Sequence, residues 1–303
     1  MSIDWLDGQT QGRANRAAAL RDLLARKQSV AVPGAPDGIT AVMAKKAGFE
    51  ALYLSGAAVS ASMALPDLGM LTLEDVVRRA REVVRASGLP LIVDCDTGFG
   101  EALSVMRTVR ELEEIGAACI QIEDQQLPKK CGHLNDKAIV PIEDMCAKIS
   151  AAKQASSEIL ICARTDAVSQ SFDEGIERAN RYAAAGADII FVEALTSHEQ
   201  MRTARARIKA PLLANMTEFG RTPQTSLSDF NALGFELVIY PVSAFRIAAA
   251  SIRAFLSELK TQGEVGKSVE RMMTRSDLYK TIGYYDYEAL DAKIVTTSLE
   301  SGA

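Results

Sequence analysis

Lys129-Lys130-Cys131-Gly132-His133 brings a thiol, two ammonium groups and an imidazole together in a polar stretch of the chain. Flanking cations stabilise a thiolate and draw a cysteine from its ordinary value of about 8.5 toward neutrality. A group that titrates near the working pH can pass a proton. Gly132 leaves the sulfur without a neighbouring side chain, so a substrate or another backbone can come close. A lone cysteine beside lysine is common on surfaces; the place of this one in the chain sets it apart.

A second constellation is Asp94-Cys95-Asp96, at the end of an apolar run. Residues two apart on a strand share a face, so the two carboxylates are expected to project together and Cys95 to face the strand–helix packing. Paired carboxylates repel unless a cation or a shared proton lies between them. Hard oxygen donors suit Mg2+ or Mn2+, with Glu123 able to join through water. Arg164 and Arg246 can each fork onto a carboxylate. The later runs carry no glycine-rich phosphate cradle, which favours a small polycarboxylic acid over a phosphate ester.

These residues need a frame. Short apolar runs occur at 29–35, 51–56, 89–96, 117–124, 158–166, 187–194, 211–217 and 237–243, separated by segments of helical period such as 72–87 and 173–185. Thr72 with Asp75, Ser197 with Gln200 and Ser226 with Asp229 read as helix starts. Gly48, Gly116, Gly186 and Gly234 stand where each preceding helix should end in a left-handed residue. The alternation predicts an α/β fold, a (β/α)8 TIM-type barrel, with an extra N-terminal helix at 13–27 and a C-terminal helical tail at 268–290. An open doubly wound sheet is the alternative, disfavoured because no Gly-x-Gly-x-x-Gly follows the first run. With no linker rich in Pro, Gly or Ser, residues 1–303 are expected to form one barrel domain carrying that tail. Chemistry in such barrels sits at the carboxyl ends of the strands. Here those ends carry Tyr53, Ser55, Asp94, Asp96, Glu123, Arg164, Glu193, Asn215 and Thr217, with Arg246 following the last run. The long connection holding Cys131 would lie over the mouth as a lid.

Composition narrows the classes. A formal net charge of −5 argues against nucleic acid as the main partner. No apolar run approaches the ~20 residues that span a bilayer. The first residues lack a secretory pattern, and five cysteines without a Cys-x-x-Cys suggest neither disulfides nor a zinc site. A cytoplasmic protein is expected. Cys131 and His133, two residues apart with no third member, do not suggest a hydrolase triad.

Taken together, Ile122-Glu123-Asp124-Gln125 followed by Lys-Lys-Cys-Gly-His, Tyr53-Leu54-Ser55-Gly56, Leu65-Pro66-Asp67-Leu68-Gly69 and Asp94-Cys95-Asp96-Thr97-Gly98-Phe99-Gly100 carry a family likeness. So do Ala163-Arg164-Thr165-Asp166-Ala167, Thr217-Glu218-Phe219-Gly220 and Tyr240-Pro241-Val242-Ser243-Ala244-Phe245-Arg246. The chain resembles the isocitrate lyase and phosphoenolpyruvate mutase superfamily, in its thiol-bearing branch of 2-methylisocitrate lyases, from Arg16 to about Tyr287. The resemblance implies a Mg2+-dependent carbon–carbon lyase that cleaves 2-methylisocitrate to pyruvate and succinate in propionate catabolism (the methylcitrate cycle). 2,3-Dimethylmalate and isocitrate are the alternative substrates; phosphonate mutases, phosphonate hydrolases and oxaloacetate decarboxylases generally lack the Cys-Gly-His loop. It implies that Asp94 and Asp96 hold the metal, with Asp67 and Glu123 behind them. Cys131, Gly132 and His133 would form the closing loop, Cys131 being the proton donor with Lys130 and His133 setting its pKa and position. Ser55, Gly56 and Ala57 would bind a substrate carboxylate, although related lyases often read Ser-Gly-Gly where this chain has Ala57. Arg164, Glu193, Asn215, Thr217, Arg246 and Arg275 would contact substrate. The general base stays open between Tyr53 and other groups. A homotetramer, a dimer of helix-swapped dimers using residues 268–290, is also implied. Phe191 and the branched aliphatic Ile239 are expected to shape the pocket for the substrate methyl group.

Overall fold

In the computed structural model, which describes residues 6, 15–130, 132 and 137–294, the chain divides into two compact units. One runs from Asn15 to Ala248; the other takes Met1–Ala14 and Ala249–Ala303.

The larger unit is the expected barrel. Eight parallel strands, β1 (Val30–Pro33), β2 (Leu52–Leu54), β3 (Leu91–Asp94), β4 (Cys119–Glu123), β5 (Leu160–Thr165), β6 (Ile189–Val192), β7 (Leu212–Asn215) and β8 (Leu237–Tyr240), follow the order β1-β8-β7-β6-β5-β4-β3-β2. Only an isolated bridge between Gly34 and Tyr53 joins β1 to β2, so the barrel is nearly closed. Gly34 is required there, because a Cβ would run into the Pro241 carbonyl.

Between the strands lie α1 (Arg16–Ala25), before β1, then α2 (Gly38–Lys46), α3 (Gly56–Ser62), α4 (Leu73–Ser87), α5 (Ala102–Glu114), α6 (Ile142–Ala155), α7 (Phe172–Ala184), α8 (His198–Arg207) and α9 (Leu227–Leu233). α4 illustrates why they form. Val76, Val77, Ala80, Val83, Val84 and Ser87 recur at helical spacing and are the residues it buries. Thr72 and Asp75 close a reciprocal capping box at its start. The left-handed backbone expected at Gly48, Gly116, Gly186 and Gly234 is present at all of them.

Two apolar clusters result. One fills the space between strands and helices and includes Cys95, as its alternation with Asp94 and Asp96 suggested. The other fills the barrel, from Leu20 and Leu23 of α1 to Tyr53, Cys119, Phe191 and Ile239. That packed interior leaves polar side chains to gather at the carboxyl ends of the strands.

α10 (Ser243–Gln262) carries the chain out of the barrel unit. In the second unit α11 (Arg275–Ile282) begins at a Thr274 cap and is followed by α12 (Tyr284–Ile294). Tyr279 stacks on Tyr284, with ring centroids 4.4 Å apart. No helix among the described residues is long and apolar enough to cross a membrane.

Candidate active site

The acidic pair is built differently from the strand-alternation reading. β3 ends at Asp94, and Asp96 lies beyond it with a left-handed backbone, φ 48°. Period-two alternation therefore does not bring the carboxylates together; a turn does. The Asp96 N–H lies 3.3 Å from Asp94 Oδ1, and both carboxylates flank Gly56. A Cβ at Gly56 would sit 3.2 Å from Asp94 Oδ2 and 3.3 Å from Asp96 Oδ1. The Gly56 N–H donates to Asp94 Oδ2 at 3.0 Å, so this donor serves the acidic pair. Ser55 caps the same short helix through its hydroxyl, and Ala57 follows in its first turn.

Lys129 is buried and reaches into this group. Its side chain is only 5% exposed, and its ammonium pairs with Asp67 and lies 2.8 Å from Asp96 Oδ1. Burial alone would lower its pKa; the carboxylates of Asp94, Asp96, Glu123 and Asp67 outweigh that and raise it. Asp96 is pushed up to about 6, by burial first and by the charge of Asp94 next, against the pull of Lys129. Among the described residues Asp96 Oδ1 meets the Lys129 ammonium and no other donor, and buried Glu123 Oε1 accepts no hydrogen bond. Buried carboxylate oxygens with acceptor capacity to spare, those of the pair beside a glycine without a side chain, suit a hard divalent cation. No group of three or more His, Cys, Asp or Glu among the described residues is arranged to hold a metal ion by itself. The donors that could hold Mg2+ are the two carboxylates, and this ion typically takes one or two, with water and substrate at its other positions.

Tyr53 and Gln121 lie beneath the pair. The Tyr53 hydroxyl donates to Gln121 Oε1 at 2.5 Å, and Gln121 Nε2 donates to Asp94 Oδ1 at 3.4 Å. Burial, then the charge of Asp94, raises the Tyr53 phenol well above its ordinary value. Its hydroxyl is the first donor in a chain of hydrogen bonds that leads through Gln121 to Asp94. Gln121 escaped the sequence reading, though a glutamine two residues before Glu123 in an apolar run marks a polar inward position.

Across the mouth, Arg164 is the centre. Its Nη1 lies 3.0 Å from Glu123 Oε2, its Nε and Nη2 grip Asp166 at 3.0 Å each, and Nη2 is 3.7 Å from Glu193. The guanidinium rests over the Phe191 ring, 5.3 Å from its centroid. Phe191 and Ile239 are each 1% exposed, so they form barrel interior below the polar groups. Burial raises Glu123 well above the usual carboxylate range despite Arg164. Asp166 is held below that range, because Arg164 and Lys137 outweigh its burial. Asn215 Nδ2 donates to Glu193 Oε2 at 3.2 Å. Further round, Arg246 Nη1 lies 3.3 Å from Thr217 Oγ1 and 2.8 Å from Glu218 Oε2.

Gly132 is buried against this group; a Cβ there would strike Arg164 and Glu193. Lys130 is tied to Gln125 through its backbone N–H and carbonyl, at 2.9 and 2.8 Å. Cys131 and His133 lie outside the described residues. Arg275 begins α11, in the second unit. Asp166 and Gln125 stood inside motifs quoted from sequence but were given no role there, and Lys137 was missed, because the partners of all three lie far away in the chain.

A conserved-domain description, "Phosphoenolpyruvate phosphomutase", matches residues 20–260. The chain belongs to this phosphoenolpyruvate mutase and isocitrate lyase family of enzymes. It is 48% identical to the 2-methylisocitrate lyase of Bacillus subtilis (strain 168) over 98% of its own length and 99% of that protein. A crystal structure of 2,3-dimethylmalate lyase superposes with a TM-score of 0.88 at 34% identity, covering 96% of this chain and 99% of the other. A phosphonopyruvate hydrolase in complex with oxalate and Mg2+ superposes with a TM-score of 0.84 at 27% identity, covering 92% and 99%.

Proposed function

We propose that the chain is a Mg2+-dependent lyase that cleaves 2-methylisocitrate to pyruvate and succinate, in propionate catabolism. Full-length likeness to a 2-methylisocitrate lyase supports the substrate. The single geometric observation that carries the reading is the two-sided mouth: a buried acidic pair served by one ammonium faces a guanidinium whose charge is held in place.

Asp94 and Asp96 would hold Mg2+, with Asp67 and Glu123 behind them. Bound there, the ion supplies a Lewis acid for the α-hydroxy acid end of the substrate. Arg164 orients a substrate carboxylate and stabilises charge that moves into it as the carbon–carbon bond breaks. Thr217 and Arg246 offer a further cationic contact for a polycarboxylate, and Asn215 with Glu193 completes the wall between. As the hydroxyl proton passes to a base in the mouth, its oxygen forms the new carbonyl and the carbon–carbon bond breaks, giving an α-keto acid and a carbanion delocalised into a carboxylate. Cys131 gives that carbon its proton, with Lys130 and His133 beside it in sequence. Tyr53, holding its own proton, orients Gln121 and through it Asp94.

2,3-Dimethylmalate is the second substrate considered, favoured by the likeness to the dimethylmalate lyase structure. A coupled assay for α-keto acid release from 2-methylisocitrate, isocitrate and 2,3-dimethylmalate tests the reading. Highest kcat/KM for 2-methylisocitrate supports it; release from none of them rejects it.

Further copies of the chain are the assembly partners we propose, as a cytoplasmic homotetramer of helix-swapped dimers. Ile252, Leu256, Val269, Met272, Met273 and Tyr285 are exposed apolar residues of the second unit and favour such a contact. Light scattering on the purified protein gives the subunit number; a monomer would reject it.

A further inference from the structure

Burying an ammonium is costly unless its charge is matched. Lys137 has a side chain only 1% exposed, and the groups that match it are specific. Its ammonium lies 2.6 Å from Asp166 Oδ1 and also donates to the Gly132 carbonyl. Asp166 is fully buried, and its other contacts include the double grip of Arg164 and a 3.3 Å hydrogen bond from Gln125 Nε2. Gln125 in turn holds both backbone groups of Lys130.

Beneath these side chains the backbone is already fixed. Gln126 N–H donates to the Ala138 carbonyl and Val140 N–H to the Asp124 carbonyl, each at 2.8 Å. Asp124 is itself held by Thr165, Tyr182 and Arg178. The root of the segment therefore does not need Lys137. What Lys137 adds is a link from Asp166 to Gly132, the peptide neighbour of Cys131. The Gly132 backbone lies so close to Arg164 and Glu193 that no Cβ would fit.

We propose, building on the lyase reading, that Lys137 is a positioning residue: through Asp166 it keeps Gly132 in fixed register with Arg164. The guanidinium that reads a substrate carboxylate and the residue next to the proton-donating thiol then share one anchor. Small displacements between reacting groups are expensive in rate, so the link should act on kcat more than on KM.

The test compares the full-length enzyme with Lys137→Met, Lys137→Arg and Lys137→Gln. Thermal unfolding, steady-state kinetics with 2-methylisocitrate and amide hydrogen exchange of peptides spanning 125–140 are measured on each. We expect folded Lys137→Met to lose about a hundredfold in kcat with a much smaller change in KM. Exchange in 125–140 should rise on the order of tenfold, reporting local opening. Lys137→Arg, which keeps the charge, should recover part of both. If Lys137→Met does not fold, Lys137→Gln, which leaves Asp166 and its grip on Arg164 in place, is used instead and should still show low kcat and fast exchange. A folded variant with kcat within about threefold of the parent, or with unchanged exchange, overturns the proposal. If the parent enzyme cleaves none of the acids tested, the lyase reading fails, and the exchange comparison alone decides whether Lys137 holds the segment.

Discussion

The two sides of the barrel mouth solve the burial of charge in opposite ways. On one side the Lys129 ammonium pairs with Asp67 and Asp96 and feels the charge of Asp94 as well, so three carboxylates share its one charge. On the other, Arg164 and Lys137 face Asp166 with hydrogen bonds to both of its oxygens. The first arrangement leaves negative charge under-compensated and suits an arriving cation. The second is matched internally and suits holding a shape. A buried ion pair is weak evidence for stability, since desolvation offsets much of the attraction, but losing one partner is severe.

The largest expected effects break the two sides outright. Cys131→Ser should abolish turnover while leaving folding and Mg2+ affinity intact; an active variant would end the proton-donor assignment. Chelation by EDTA should remove activity, and added Mg2+ or Mn2+ should restore it. Full turnover in a metal-free preparation would reject the acidic pair as a metal site.

Lys129→Met sharpens the contrast. It leaves the acidic side without its ammonium, so the metal-free protein should lose roughly 3–5 kcal/mol, the usual cost of an unpaired buried charge. Mg2+ should then raise the unfolding temperature more than it does in the parent. Equal Mg2+-induced shifts in the two proteins would show that Lys129 does not compensate those carboxylates.

A smaller effect is expected at substrate discrimination. One methyl group in an apolar pocket is worth about 1–3 kcal/mol, so the preference for 2-methylisocitrate over isocitrate should be partial. Phe191→Trp should erode it. Because Phe191 supports Arg164 and is fully packed, the variant should also raise KM for both acids. Equal kcat/KM for the two acids in the parent would remove Phe191 and Ile239 from the specificity argument.

The smallest effect is expected at the start of α4. Thr72→Ala removes the α4 cap and should cost about 1 kcal/mol in stability, leaving kcat unchanged. The Thr72 hydroxyl and backbone N–H hold the Asp75 carboxyl below its ordinary value. Stabilisation through that carboxylate is therefore present above the unfolded-state pKa and is lost as pH falls through the lowered folded value. The stability gap between parent and variant should narrow in acid; a gap that widens would contradict the capping account.

Local chemistry was legible in the sequence. Apolar runs alternating with helical period predicted all eight strands, and the glycines after helices predicted their left-handed ends. Both are decided by neighbours within a few residues. The polar strand ends and the motifs around Asp94, Arg164 and Gly132 were visible for the same reason. How Asp96 joins Asp94 was not, because the turn beyond β3 replaces strand alternation with a left-handed residue.

The partners of the charges were set by the tertiary fold. Nothing near Lys129 in sequence says that its ammonium will meet Asp67 and Asp96, and nothing near Lys137 points to Asp166. Nothing near Tyr53 in sequence says that its hydroxyl will donate to Gln121, from another strand. A side chain's type fixes which interactions it can make. Which of them it makes, and so its charge state, depends on burial and on groups that meet only when the barrel closes.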